Sequence, residues 1–443
     1  MLSAGNRVLK RVHQKAIVHE PRPTGADIKT GDQGVYYGWI IVAASFAVTL
    51  TLGESFWSFG VFFKPLENEF NWSRSLVSSG YTAFLIGYGI SVIASGRLAD
   101  RYKPRNVLLL SAVLAGVGIA LCSQVQSVGQ LRVFLFIAGL GAGATWSVPG
   151  SVVQRWFNGR KRAGLALGIV TSGVGIGALV FAPLINYLIL NYGWRNAYLI
   201  VGILFTAIIA LAALFIKHAP PDAAPGRGQK PDVTRAAADG GWTTGKTLLS
   251  PSFLVIVFVI SLGSFTFNAT SVHLVPQASD AGISATTSAA ALGLMGGFSV
   301  PGRIIGGLAT DRVSWQKLLA LSNLGMMLSL GWLLFLNAPW MLYSFVFFFG
   351  LCTGVRSPAQ IGIVGAFFGM RSLGELIGIT SAVSQLIAAF SPYLAGLIFD
   401  VTGSYTLFFF MLAATLLCAV VLAMTIRKPS AMPAKPAPAA IAR

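Results

Sequence analysis

Long apolar runs dominate the pattern of hydrophobic and polar positions along this chain of 443 residues. A membrane-spanning helix needs about 20 mostly apolar residues, and the sequence contains about twelve such runs. In the first half of the chain the predicted spans cover residues 37–61, 78–98, 106–124, 131–153, 164–190 and 195–216. In the second half they cover residues 251–273, 285–308, 317–337, 340–364, 373–398 and 404–426. Because the runs are continuous rather than alternating, they favour helices over strands.

The composition agrees with this pattern. Apolar residues make up 55% of the chain and charged residues only 10%, whereas a soluble domain averages about 25% charged residues. So few charges cannot cover the surface of a soluble protein of this size, which excludes a cytosolic enzyme, a disordered chain and a secreted disulfide scaffold. The three cysteines all lie in apolar runs and suggest no disulfide framework.

The basic residues are distributed unevenly between the loops. With a cytosolic N-terminus, the outer segments carry only Lys64, Arg74, Arg132 and Arg195 of the 32 Lys and Arg residues. The positive-inside rule therefore predicts a multi-pass membrane protein with cytosolic N- and C-termini. The same bias accounts for the net charge of +18 without nucleic acid, and basic loops can also contact anionic membrane lipid.

The predicted organisation is an all-α membrane protein of twelve transmembrane helices, arranged as two pseudo-symmetric halves of six. Residues 1–35 are polar and basic, without the apolar core of a signal peptide, and are predicted to be a cytosolic tail. Residues 36–216 form the first half and residues 248–426 the second. The Pro- and Gly-rich residues 217–247 are predicted to be a cytosolic linker, and residues 427–443 a second cytosolic tail.

An internal repeat supports two equivalent halves. The pattern GxxxDR follows the second span at residues 96–101 and the eighth span at residues 307–312, a shift of about 210 residues. At nearly the same shift, Pro183 lies late in the fifth span and Pro392 late in the eleventh. Parallel halves of six spans place a substrate site between them, near the middle of the bilayer.

Several segments resemble the major facilitator superfamily, and within it the bacterial monocarboxylate-transporter-like and oxalate–formate antiporter group. The cytosolic loop GRLADRYKPR (96–105) is similar to the superfamily signature, with Lys103 where the family usually has Gly. The segments similar to the narrower group are YYGWIIV (36–42), SFGVFFKPL (58–66), RWFNGRKRAGLALGI (155–169), VHLVP (272–276), GRIIGGLATDR (302–312) and SPYLAGLIFDVTGSY (391–405). The resemblance implies transport by alternating access across the plasma membrane, in this case a bacterial inner membrane.

Arg303 is the principal candidate for substrate binding. It precedes Asp311 by eight residues and so lies about 12 Å inside the membrane at about 1.5 Å per residue. Charge at this depth is expensive and marks a functional candidate, and guanidinium binds a carboxylate through two parallel hydrogen bonds. The resemblance implies the same role, since the matching arginine of monocarboxylate transporters binds the carboxylate. The alternative is an arginine that reaches the interface or pairs structurally.

Proton coupling has two candidates. Eukaryotic members of the resembled family carry an acid four residues before the arginine, where this chain has Ser299. His273 lies at the outer end of the seventh span, and the resemblance also implies a place for it in the substrate site. Glu54 lies in the outer half of the first span and could carry a proton. The alternative for His273 is an interfacial histidine that makes only a hydrogen bond. The alternative for Glu54 is a glutamate that is paired or reaches the outer interface.

Arg356 in the tenth span is a further substrate-binding candidate. It could bind a second carboxylate, or it could be structural, neutralised by Glu375 or by carbonyls freed at Pro358. The eleventh span lacks the lysine that the antiporter resemblance implies for oxalate. Additional polar and aromatic candidates for the substrate pathway are Tyr81, Trp146 and Gln385.

We expect Asp100, Arg101, Asp311 and Arg312 to close the inner gate at the cytosolic helix ends.

The sequence contains no Walker motif, zinc-ligand pattern or catalytic cluster, so we expect no cofactor, metal, catalytic residue or enzymatic activity. The predicted partners are a small carboxylate, a monocarboxylate first of all, together with a proton and membrane lipid, and the predicted transport unit is a monomer. A dicarboxylate or anion exchanger, a drug exporter and a non-transporting carboxylate sensor remain as alternatives.

Overall fold

The structure, a computed structural model, describes residues 36–157, 162–217, 244–310, 312–368 and 373–428. The whole predicted N-terminal tail (1–35), the C-terminal tail beyond residue 428, most of the predicted linker, Asp311 and the side chain of Asp100 lie outside the described residues. From Tyr37 onward the described helices belong to one compact unit. The described residues form helices and no strand, as the sequence pattern predicts.

The helices of the first half follow the predicted spans closely. They are α1 (Tyr37–Trp57), α2 (Phe59–Phe70), α3 (Arg74–Arg101), α4 (Pro104–Leu121), α5 (Val128–Trp156) and α6 (Ala163–Phe215). The first span is longer than predicted, because α2 continues α1 beyond a bend at Ser58 as far as Phe70. Lys64, which the sequence analysis places in an outer segment, therefore lies on α2.

The helices of the second half repeat this arrangement after a short helix. They are α7 (Thr244–Leu248), α8 (Pro251–Asp280), α9 (Ala285–Ala309), α10 (Trp315–Leu334), α11 (Pro339–Phe368), α12 (Leu373–Ala388), α13 (Ser391–Thr402) and α14 (Thr406–Thr425). Together, α12 and α13 form the eleventh span, with Pro392 in the first turn of α13.

Within the described residues, eleven helical segments are long and apolar enough to cross a membrane. One of them, Gly164–Phe215, has 52 residues, which is far more than a single crossing needs. Its backbone leaves the helical conformation at Gly193, where φ is 78°, a value that glycine adopts without strain. The segment is thus two crossings, and the total is the predicted twelve.

Serine side chains define where several spans begin. Ser127, Ser250 and Ser284 each accept a hydrogen bond from a backbone N–H in the first turn of the helix that follows. Such N-caps satisfy donors that have no partner within the helix and contribute about 1 kcal/mol each. Short polar residues between apolar runs therefore set the helix boundaries.

Among the described helices, the most extensive contact between the two halves is made where α6 packs against α9. A Cβ atom built on Gly175 would lie 2.6 Å from the carbonyl oxygen of Gly296 and 2.9 Å from Ser299 Oγ. Glycine at this position lets the two backbones come close together. Additional contacts join α2 to α8, and α3 to α12 and α13.

The bundle has two distinguishable ends. We call the end where α2 and α8 finish and α3 begins the distal end, and the opposite one, where α1 and α8 begin, the terminal end. At the terminal end, Tyr37 donates to the carbonyl of Phe215, and Ser252 donates to the carbonyl of Arg427. The first and last described helices thus start and finish on the same side.

Candidate substrate cavity and distal charge cluster

A central cavity of about 200 Å³ lies between the two halves. The first half supplies an apolar and aromatic wall, made of Leu52, Phe56, Trp57, Tyr88, Trp146 and Val174. The second half supplies the polar side chains, among them Ser264, Thr353, Gln360, Ser384 and Gln385, together with Arg303 and Arg356. None of the described residues that line this cavity is Asp or Glu. The cavity is thus amphipathic and positively charged.

Arg303 projects from α9 toward the first half. Its Nη1 donates a hydrogen bond to the backbone carbonyl of Thr171 in α6, so this side chain connects the two halves. Its buried Nε has no hydrogen-bond partner among the described residues. A carbonyl dipole does not neutralise a guanidinium, and a buried donor without a partner costs about 1–3 kcal/mol. Arg303 therefore retains capacity for an anion.

Arg356 on α11 is more completely held. Its Nη2 donates to the carbonyl of Ile260 and lies 3.4 Å from Ser264 Oγ. With its amide oxygen turned toward the guanidinium, Gln360 accepts from Nη1 at 2.7 Å and from Nε at 3.1 Å. A Cβ atom on Gly263 would lie 2.5 Å from Nε, so the guanidinium packs directly against the α8 backbone.

Of the other predicted pathway residues, Trp146 and Gln385 line the central cavity. Tyr81 and Glu54 do not; they line a separate, smaller cavity of about 30 Å³ inside the first half. The hydroxyl of Tyr81 donates to the carbonyl of Phe56 at 3.1 Å. The sequence located these side chains within spans, but helix rotation decides which cavity each one faces.

His273 lies outside both cavities. Its Nε2 is 2.8 Å from the carbonyl oxygen of Pro392, which can only accept, so Nε2 carries the proton. Its Nδ1 then accepts from the hydroxyl of Tyr405 at 2.7 Å. Burial raises the pKa of the Tyr405 phenol, so this hydroxyl keeps its proton. The histidine thus links α8 to the beginning of α13 and to the loop that precedes α14.

Tyr405 also belongs to a partly buried network of charged residues that the sequence analysis does not identify. Arg74, at the start of α3, pairs with Glu67 of α2 at 2.9 Å and with Asp280 of α8 at 2.7 Å. It also donates to Tyr405 at 2.9 Å, and its guanidinium lies 3.6 Å from the centre of the Phe399 ring. The sequence does contain a signal for this network, because charged residues cluster near the ends of these spans. The sequence analysis places those residues in outer loops, where they would not be expected to pair.

Two more residues extend this network. The carboxylate of Asp400 accepts from the backbone N–H groups of Arg74 and Ser75 at 2.8 and 2.9 Å, which caps α3 from the opposite half. Lys64 pairs with Asp280 at 2.8 Å and with Glu67 at 3.0 Å. We use the name distal charge cluster for the following seven residues: Lys64, Glu67, Arg74, His273, Asp280, Asp400 and Tyr405. It joins the halves across the distal end.

The predicted inner gate is only partly described. Arg101 and Arg312 are exposed, and the guanidinium of Arg101 lies 5.8 Å from the ring centre of its neighbour Tyr102. Asp311 and the side chain of Asp100 are outside the described residues. The role of these four residues remains a prediction.

Twelve spans in two halves around a central polar cavity define the class of membrane transporters with a major facilitator fold. The model of the Major Facilitator Superfamily matches residues 44–339 and 302–442, and the chain belongs to this superfamily. The predicted fold class and family are thereby confirmed.

Comparison with relatives of known sequence shows which transporters within the superfamily this chain resembles. The chain is 28% identical over 383 residues to the uncharacterised MFS-type transporter YcxA of Bacillus subtilis (strain 168), which covers 83% of this chain and 90% of that protein. It is 27% identical over 391 residues to monocarboxylate transporter 13 of Rattus norvegicus, covering 86% and 87% of the two chains. Monocarboxylate transporter 12 of Homo sapiens is 27% identical over 419 residues, covering 86% and 78%. The protein is an MFS transporter related to monocarboxylate transporters, not an enzyme.

Solved structures share the fold at low sequence identity. A D-xylose–proton symporter superposes with a TM-score of 0.67 at 16% identity, over 90% of this chain and 98% of the other. A bacterial homologue of the human lysosomal transporter Spinster, in an inward-facing and unoccupied conformation, gives a TM-score of 0.65 at 16% identity, over 89% and 95%.

Proposed function

We propose that this protein is a secondary active transporter that moves a small organic anion, a monocarboxylate first of all, by alternating access coupled to protons. The observation that carries the proposal is the state of Arg303. Its guanidinium lines a cavity between the halves, donates to a single carbonyl and leaves Nε without a partner among the described residues. A carboxylate bound to Nε and Nη2 would give the Arg303 guanidinium both a hydrogen-bond acceptor and a negative counter-charge.

Electrostatics favours an anion over a neutral or cationic substrate. Arg303 and Arg356 both line the central cavity, whose described lining contains no carboxylate. The ion pairs of the described residues include neither arginine. A charge-assisted hydrogen bond contributes about 1.5–3 kcal/mol, so a bidentate carboxylate would offset a large part of the desolvation that it suffers on entry. A lipophilic cation would be repelled.

The opposite wall favours an apolar body on the substrate. Phe56, Trp57, Tyr88 and Trp146 of the first half line the same cavity, and such a surface offers few hydrogen bonds to a sugar. The relationship to proteins named monocarboxylate transporters supports this substrate class independently.

The connection from Arg303 to Thr171 suggests how binding is coupled to movement. The bond joins α9 of one half to α6 of the other. A carboxylate that binds Arg303 changes the partners of a side chain that spans both halves, and so changes the relative energies of their two arrangements. With both termini cytosolic in the plasma membrane, the distal charge cluster faces outward and closes the outer side of the transport path.

The test is uptake by the full-length protein in proteoliposomes, using a panel of mono- and dicarboxylates under an imposed pH gradient. We expect uptake of at least one carboxylate, dependence on the gradient, and loss of uptake in Arg303→Ala. Arg195→Ala is the matched control, because Arg195 is 40% exposed and pairs with Glu69. Undiminished uptake by Arg303→Ala would exclude the proposed site.

Dicarboxylate exchange is the second candidate, and the position of Arg356 in the same cavity favours it. An exchanger would show faster uptake when the lumen is preloaded with substrate, and no dependence on the pH gradient. A monocarboxylate–proton symporter would show the dependence on pH and accept substrates with a single carboxylate.

A further inference from the structure

The smaller cavity inside the first half contains a buried carboxyl group that the substrate site does not use. This cavity of about 30 Å³ shares none of its lining residues with the central cavity. Glu54 on α1 lines it together with Ser55, Tyr81 and Tyr198, and the remaining lining side chains are apolar. Glu54 is only 5% exposed. The inference below rests on the proposed proton-coupled transport and specifies where the proton is held.

Glu54 has no cationic partner among the described residues. Its Oε2 accepts from Ser55 Oγ at 3.2 Å, and the residues that line the cavity include no Lys, Arg or His. The titratable groups that surround it are Tyr81 on α3, Tyr198 on α6 and Cys122 at the end of α4, all neutral in their ordinary protonated forms. A charged carboxylate would be buried without a counter-charge, which is costly. The neutral acid is the form that this largely apolar cavity accommodates.

A second, independent feature points to a small polar ligand. The hydroxyl of Tyr198, a side chain only 3% exposed, lines the same cavity and has no hydrogen-bond partner among the described residues. A water molecule needs about 10–15 Å³ of such space and two or more polar partners. The volume is thus sufficient for about two water molecules, which could join the Glu54 carboxyl to the Tyr198 hydroxyl.

Glu54 is also placed where movement of the halves would reach it. Its backbone carbonyl accepts from the N–H of Ser58 at 2.9 Å, at the bend between α1 and α2. Beyond the bend, α2 carries Lys64 and Glu67 of the distal charge cluster. Two and three residues after Glu54, Phe56 and Trp57 line the central cavity. The first span, formed by α1 and α2, therefore connects the carboxyl to both the substrate site and the distal charge cluster.

We propose that Glu54 is the proton-binding site of the transport cycle, with water in the small cavity as the proton carrier. While the distal charge cluster is closed, Glu54 is the neutral acid. When α2 moves away with an opening distal end, the carboxyl O–H bond breaks, the proton passes to a water molecule, and the carboxylate that remains is hydrated. Once the distal end has closed again, Glu54 takes up a proton from water on the terminal side. The proton therefore enters on one side and leaves on the other, so each cycle carries one proton together with the anion, and the same steps in reverse carry both inward.

Infrared spectroscopy tests the protonation state without requiring any substrate. The full-length protein in lipid should show the carbonyl stretch of a buried, protonated carboxylic acid at neutral pH, and Glu54→Gln should remove that band. Glu69→Gln is the matched control, since Glu69 is 41% exposed on the same span and pairs with Arg195, and it should leave the band unchanged. A band that persists in Glu54→Gln, or one absent from the wild type, would overturn the proposal.

Transport of L-lactate in proteoliposomes tests the coupling. A gradient of one pH unit supports about tenfold accumulation when one proton accompanies each anion. We expect Glu54→Gln to lose this accumulation while it retains lactate–lactate exchange, because the amide resembles the neutral acid and cannot release a proton. Accumulation by Glu54→Gln equal to that of the wild type would refute the site. If the wild type transports no carboxylate of the panel, the proposed function fails, and the infrared result alone decides the protonation of Glu54.

Discussion

Arg74 in the distal charge cluster and Arg303 in the central cavity are two arginines placed within spans, with very different partners. Arg74 is bound by Glu67, Asp280 and the Tyr405 hydroxyl, and its guanidinium lies over an aromatic ring. Arg303 donates to one backbone carbonyl and has an unpartnered Nε among the described residues. Other described residues neutralise the charge of Arg74 and accept its hydrogen bonds, whereas Arg303 lacks both a counter-charge and a partner for Nε.

The difference separates a structural charge from a candidate binding charge. A buried ion pair with several hydrogen bonds offsets its own desolvation, and removing one partner leaves the others uncompensated. A charge held only by dipoles is tolerated at a cost, and its partner can come from solution. The partners of a buried charge, more than its depth in the membrane, therefore indicate its role.

The comparison predicts different effects of the two alanine substitutions on stability. Arg74→Ala leaves Glu67 and Asp280 with only Lys64, and we expect a loss of about 3 kcal/mol in the free energy of unfolding. Arg303→Ala removes an incompletely paired charge, so its stability should be unchanged or higher. Thermal unfolding of both variants in the same detergent measures the difference, and equal losses would contradict it.

The ability of the Arg303 guanidinium to form two parallel hydrogen bonds can be tested separately from its charge. Lysine keeps the charge but cannot form two parallel hydrogen bonds with a carboxylate. Loss of one charge-assisted hydrogen bond costs about 1.5 kcal/mol or more, so Arg303→Lys should lower the apparent affinity for the transported anion at least about tenfold. Concentration-dependent uptake gives this value, and wild-type affinity would show that charge alone suffices.

Gly263 offers a way to displace the second arginine of the cavity without removing it. A Cβ atom there would lie 2.5 Å from Arg356 Nε, so Gly263→Ala must shift the guanidinium. Overpacking of this kind costs about 1 kcal/mol or more, and we expect roughly a fivefold weaker apparent affinity if Arg356 contacts the anion. Gly331→Ala is the control, because a Cβ there meets nothing within 4 Å. Equal affinity in both variants would assign Arg356 a structural role.

The smallest effect is expected at the rim of the distal charge cluster. Lys64 pairs with the same two carboxylates as Arg74, but its side chain is 24% exposed. Ion pairs in contact with solvent contribute about 0–1 kcal/mol. Lys64→Ala should therefore lower the free energy of unfolding by less than about 1 kcal/mol, and a loss as large as that of Arg74→Ala would contradict the distinction between centre and rim.

Sequence reasoning predicted the spans well because the signal is local. The ninth span was expected at residues 317–337 and is observed at Trp315–Leu334. It underestimated the first and seventh spans, since Lys64 and Asp280 looked like loop charges. In the fold these two residues pair with each other across the halves at 2.8 Å, which lets both helices extend further than hydropathy suggests.

The predicted site residues show the same division. Their place within spans could be inferred, but the cavity that each would face could not. Arg303, Arg356, Trp146 and Gln385 share the central cavity, whereas Glu54 and Tyr81 share the smaller one. Helix rotation relative to neighbouring spans decides this, and no residue pattern within a uniformly apolar run records it.

The sequence by itself determined the twelve spans, the paired halves and the family, because hydrophobic length, repeated motifs and loop charge are properties of adjacent residues. The tertiary structure alone decided which buried charges are satisfied. Arg74 meets Tyr405 across 331 positions of the chain, and Arg303 meets Thr171 across 132. Contacts this distant along the chain arise only when the halves pack, and they distinguish an arginine that holds the fold from one that remains available to a ligand.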